Sequence, residues 1–197
     1  SSETLLIEGD PDLKYLNEIN ERYGAKEFLV LTYTPKGRMI EENSIKNLIK
    51  LKKEIQKLNW VHSVITLLDI PLLNSSDEPL IERLQNYSTL SSKGINKERG
   101  FNEILNSPVF RNFVISEDGE TSGIIVYLKS KDKIKDFKSK KDEEIYKDKL
   151  KKQNHQNILE IRQVIKNFSS TSKIHLGGIP MIADDMMTFI KNDIIVF

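Results

Sequence analysis

Apolar residues recur along this chain in two rhythms, one of two residues and one of three to four. The switches between them mark out its elements. Residues 10–24 carry Leu13, Leu16, Ile19 and Tyr23 at helical spacing, with Asp10 as cap, Pro11 at the first helical position and Gly24 at the exit. Residues 27–34, EFLVLTYT, are rich in β-branched and aromatic side chains and are closed by Pro35 and Gly37, which predicts a strand. Its nearly continuous apolarity predicts a central strand buried on both faces. A helix follows over 44–58, capped by Asn43. Ile45, Leu48, Leu51, Ile55 and Leu58 form its apolar stripe, and Lys46, Lys50, Lys53 and Lys57 line the other side. Residues 61–69, VHSVITLLD, read as the next strand, stopped by Pro71, and complete a βαβ-like unit.

The rhythm breaks over 72–108, where Ser75, Ser76, Ser91, Ser92, Gly94, Gly100 and Pro108 are scattered. Two weak helical segments are predicted inside it, near 78–90 and 97–106. Leu80, Leu84, Phe101, Ile104 and Leu105 remain available for packing, so this stretch reads as an insertion or cap. A hairpin is predicted over 110–129: FRNFVIS, a turn at Asp118-Gly119, and TSGIIVYLK returning. Residues 129–152 then hold 11 Lys against six acidic residues and read as a solvated arm or a helix start. The next helix runs from about 142 to 168, amphipathic only in its second half, through Ile158, Ile161, Ile165 and Phe168. A short strand at 173–177 leads into a turn at Gly177, Gly178 and Pro180, and a helix is predicted from 181 onward.

The order β-α-β, insertion, hairpin, α, β predicts an α+β domain on the ferredoxin-like, split βαβ plan. It has one extra strand in the hairpin and a helical insertion. Right-handed crossovers put both amphipathic helices on one face of an antiparallel or mixed sheet. The domain spans residues 27–180, with its insertion at 72–108 and Lys-rich segment at 129–152. Residues 1–26 are an N-terminal segment with a short helix, and 181–197 a closing helix.

Composition narrows the functions open to such a domain. The chain has 197 residues, 30 Lys+Arg and 29 Asp+Glu, which argues against a dedicated polyanion binder at whole-chain level. No apolar run approaches the ~20 residues of a membrane-spanning helix, and the acidic start SSETLLIEGDPD does not read as a signal peptide. Cysteine is absent, which excludes disulfides, thiolate catalysis and Cys-ligated metals.

Candidate chemistry is sparse. His62, His155 and His175 lack the spacing of a metal site and read as partly exposed or satisfied histidines. Gly177-Gly178-Ile179-Pro180 lacks the further glycine and lysine of a phosphate loop and reads as a structural turn. Asp184 and Asp185 are adjacent, so on a helix they point about 100° apart and cannot share a proton. The Lys-rich stretch has only Phe137 and Tyr146 as aromatics, which argues against a stacking platform for nucleic acid. No catalytic residue, cofactor or metal is expected.

Four segments occur in an order that resembles a known superfamily: GDPDLKYLNEINERYGAKEFLVLTYTP at 9–35, VHSVITLLDIPLL at 61–73, ILNSPVFRNFVISEDGETSGIIVYLK at 104–129 and HLGGIPMIADDMMTFIKNDIIVF at 175–197. Together they resemble the first extracytoplasmic loop of RND-superfamily exporters, in the MMPL or hopanoid-transporter-like branch.

The resemblance implies a membrane protein of two repeats, with porter domains following its first and seventh spans. This chain would join the first span to the second, on the periplasmic side of the inner membrane. The apolar Ile194-Ile195-Val196-Phe197 would then open the second span. Porter domains of this superfamily are built from ferredoxin-like βαβ subdomains. Transport would be driven by a proton or ion gradient through charged residues of the membrane helices, and no such residue maps onto this chain. The substrate would be a lipid or another hydrophobic molecule. The partners would be the remaining membrane helices and the second porter loop of the same polypeptide, with no nucleic acid. Self-association stays open, because relatives form trimers, dimers or monomers. Leu72, Leu73, Leu80, Leu84 and Leu90 are the candidate residues for a substrate cleft beneath the insertion, alongside a packing role. Two other readings stand beside this one: a periplasmic domain of an RND-related protein-translocation component, and a free-standing ferredoxin-like module that binds a small ligand.

Overall fold

The computed structural model describes residues 28–176, apart from residues 76–78, 80, 81, 83–85, 109, 112, 113 and 131–136. Strand β1 forms over Phe28–Pro35, helix α1 over Glu42–Gln56, β2 over Val61–Ile65, a 3-10 turn over Leu67–Asp69, α2 over Lys97–Asn106, β3 over Ser122–Leu128, α3 over Lys140–Lys166 and β4 over Ser172–Leu176. The strands make one antiparallel sheet in the order β2-β3-β1-β4. The fold is therefore α+β, with a four-stranded sheet and three helices among the described residues. The helix expected over 10–24 and the helix expected from 181 lie outside the described residues.

The apolar stripe of α1 fixes which face of the sheet is covered. Ile45, Leu48, Leu51 and Ile55 are buried against Leu31 and Tyr33 of β1, Val61 and Val64 of β2, and Ile124 and Val126 of β3. Ile161 of α3, Phe168 just past its end and Ile174 of β4 join the same cluster. Both helices thus pack on one side, as right-handed crossovers require. Each such side chain contributes about 1.5–3 kcal/mol by leaving water.

Helix α1 begins earlier than its sequence signal. Its N-cap position is Glu41, without a side-chain cap, and Asn43 lies inside the first turn. Met39 and Ile40 are buried just ahead of it, so packing rather than capping sets the start. Strand β2 is shorter than expected. It stops at Ile65, where Thr66 and Asp69 form a capping box: the Thr66 Oγ1 accepts from the Leu68 amide, and Asp69 accepts from the Thr66 amide at 2.8 Å. Lys52 also donates to Asp69, at 2.6 Å, tying this turn to α1.

The first half of the predicted hairpin, FRNFVIS, is not a regular strand. Val114 and Ile115 both donate from their amides to the Phe110 carbonyl, so the segment turns on itself. Only isolated bridges join Arg111 to Ile115 and Ile115 to Ser122. The turn itself forms where Asp118-Gly119 marks it. Gly119 has φ +72°, a conformation that costs an L-residue roughly 1–2 kcal/mol. The Asp118 carboxylate accepts from Ser116 Oγ at 2.6 Å and from the Glu120 amide at 3.0 Å, which holds it below the usual carboxylate range.

The insertion is anchored to the body by α2, which forms over the predicted residues. A Glu103 carboxylate on this helix accepts from the amides of Leu73 and Asn74, at 2.8 and 3.0 Å, and from Ser75 Oγ. One charged side chain thereby satisfies three donors of a loop with no ladder of its own. Gly100, read from sequence as a break, sits within α2 because a Cβ there would meet Leu72 and Leu90 at 2.8 and 3.0 Å.

Candidate functional site

The second face of the sheet carries its own apolar cluster. Strand alternation turns Phe28 and Val30 of β1, Ile125 and Tyr127 of β3 and Ile65 of β2 away from the main core. Register sets these residues in rows. Phe28 stands opposite Tyr127, which pairs with Ser63; Val30 stands opposite Ile125, which pairs with Ile65. The Phe28 and Tyr127 rings meet edge to face at 6.0 Å, the favourable geometry for an aromatic cross-strand pair. Burial raises the Tyr127 phenol above its ordinary pKa.

The next rows are polar. Thr32 lies between Gly123 and His175, and Thr34 pairs with Lys173. The Thr34 hydroxyl shares a 2.7 Å hydrogen bond with that of Thr121. The face is therefore divided, apolar where the chain enters β1 and polar where it leaves that strand. Among the described residues, no helix contributes to the apolar cluster. Such a half-apolar sheet face suits packing against another apolar surface.

The residues singled out from sequence fall elsewhere. Leu72 and Leu90 are wholly buried with Phe101 and Ile104 in the main core, so their side chains are held by packing with α2. Leu73 is half-buried. Leu80, Leu84, Gly177, Gly178 and Pro180 lie outside the described residues. His62, His155 and His175 are exposed on three different elements. Among the described residues, no three His, Asp or Glu side chains come together as a metal site. No described helix is long and apolar enough to cross a membrane.

Sequence reasoning did not single out the second-face cluster, yet its signal is present. The sequence predicted a β1 buried on both faces, and β1 is indeed a central strand with apolar residues on each side. The run Ile124-Ile125-Val126-Tyr127-Leu128 in β3 has the same two-sided character.

The chain matches no protein-family model and no curated protein.

Proposed function

We propose that this chain is the extracytoplasmic porter domain of a gradient-driven RND-type exporter, built on the ferredoxin-like plan. The order β-α-β, insertion, β-α-β with α1 and α3 on one face supports that plan. One observation carries the functional reading beyond the resemblance of the four segments. Leu176 of β4 stands opposite Leu31 of β1, three residues from Phe28. The chain thus enters and leaves the sheet at the same end, within roughly 10–15 Å. This geometry suits a domain spliced between two neighbouring membrane helices.

On this reading the second sheet face packs against a porter subdomain of the second repeat. Its apolar rows lie at the end where the chain enters and leaves. Rearrangement of the membrane helices would move one subdomain against the other and open a path for a lipid or other hydrophobic substrate. The energy source is the ion gradient, and the domain's part is to bind and release by changing shape.

The chain contains no cysteine, so a single Lys93→Cys change in the exposed insertion gives a clean topology probe. The native full-length protein, with any other cysteines replaced, is treated in intact cells with a membrane-impermeant maleimide. Labelling without lysis is the expected result. Labelling only after lysis overturns the proposal, because the domain would then face the cytoplasm.

A further inference from the structure

Helix α3 outruns the sheet it packs on. Its buried positions begin at Asn157, 17 residues after Lys140, so about 25 Å of helix precedes its first buried contact. Beneath this overhang, against the ends of β2 and β3, lies an open groove of about 700 Å³, within the range of small-molecule sites. Its lining is mixed: Trp60 and Leu128 from the sheet side and Tyr146 and Leu150 from the helix form an apolar and aromatic part, beside polar residues that include Gln153 and Gln156.

Three observations say what would fill it. Asn157 lines the groove and is only 6% exposed, yet its Nδ2 donor finds no acceptor in the protein. A buried donor without a partner calls for an acceptor supplied from outside. Lys129 and Lys149 also line the groove, and neither joins an ion pair among the described residues. The segment 129–152, to which both lysines belong, has an excess of five positive charges in a chain whose total is +1, leaving the remainder at −4. The lining itself holds two lysines against one carboxylate, a net charge of +1 that favours an anion. The one carboxylate in the lining, Glu160, is engaged by the Trp60 indole N–H at 2.9 Å.

We infer that this groove is a binding site for a small organic acid, a carboxylate or phosphate monoester carrying a ring or short apolar body. The body lies against Trp60, Leu128 and Leu150, the acidic oxygens accept from the ammonium of Lys129 or Lys149, and a turn of the Asn157 amide, whose Nδ2 is shielded from solvent in this structure, brings that donor to them as well. The site lies within this one domain and does not depend on the exporter reading.

Trp60 is the only tryptophan in the chain, so its emission reports on the groove directly. The 197-residue chain is titrated with phenyl phosphate, 3-phenylpropanoate, the neutral 3-phenylpropanol and inorganic phosphate. Saturable changes are expected with the first two, the stronger naming the head group. The alcohol and the bare anion are expected to bind about tenfold more weakly or worse, because each lacks half of the contacts. Lys149→Gln and the isosteric Asn157→Asp, each checked for a native circular dichroism spectrum, should also weaken the acids about tenfold. The inference is overturned if neither acid gives a saturable change, if acid and alcohol bind alike, or if both natively folded variants bind as the parent does.

Discussion

Tyr33 shows how one polar atom is accommodated in this core. Its ring is wholly buried among the residues of α1 and the sheet, and its hydroxyl donates to the Ser44 carbonyl at 2.8 Å. Burial pushes its pKa from the ordinary 10.0 up to about 12, because the phenolate would lose its hydration. The folded state therefore favours the neutral phenol. That contribution to stability is fully present below pH 10 and is lost as pH rises toward about 12. Tyr127 adds a shift in the same direction, also from burial. Tyr33→Phe should cost about 1 kcal/mol at neutral pH through the lost hydrogen bond. It should also flatten, without abolishing, the fall in stability above pH 10. Urea unfolding of both proteins at a series of alkaline pH values checks this. Parallel pH profiles would mean that Tyr33 ionises in the folded state as freely as in the unfolded one.

The elements sort by whether their own residues or their neighbours decide them. Helices α1 and α3 and strands β1, β3 and β4 were legible because each carries its periodicity within one continuous stretch. The segment 110–116 carries an equally good apolar pattern and turns back at Phe110 instead, with Val114 and Ile115 buried in the core and Phe110 packed at its edge. Nothing in the local pattern distinguishes the two outcomes. The second-face cluster was only half legible: alternation says that β1 has two apolar faces, but only the register brings Ile65, Ile125 and Val30 into one row. The overhang groove was not legible at all, since it needs the ends of β2 and β3 placed under a helix a hundred residues away from Trp60. Gly100 turns this contrast between local and tertiary effects into a measurement. Helix propensity alone says that Gly100→Ala in α2 should stabilise by about 1 kcal/mol. The added methyl would stand 2.8 Å from a Leu72 methyl and 3.0 Å from one of Leu90, and both leucines are wholly buried. Overpacking of this kind costs about 1–3 kcal/mol, so a net loss is expected. A raised melting temperature for Gly100→Ala would show that the insertion yields to α2 and is not clamped by it.

At the scale of the whole molecule, α1 and α3 cover one face of the sheet. The face covered by α1 and α3 is needed for this chain to fold, whereas the proposed function assigns the apolar rows of the other face to a partner subdomain. A pair of substitutions separates these roles. Leu48→Ala empties a fully buried position of α1 and should cost about 2–5 kcal/mol in the chain itself. Ile65→Lys puts a charge into the second-face row beside Ile125. Ile65 is only half-buried there, and the lysine stem can lie along the sheet with its ammonium in water. The chain should then lose about 1 kcal/mol or less, in line with a substitution outside the core. In the full-length protein the same lysine would be pressed against an apolar partner, where an unpaired charge is costly. Complementation of a deletion strain by the full-length gene should therefore fail for Ile65→Lys at normal membrane abundance. It should fail for Leu48→Ala only as far as abundance falls. If Ile65→Lys complements fully, this face is not where the porter subdomains meet. If it unfolds the isolated chain as severely as Leu48→Ala does, the face belongs to this chain's own core.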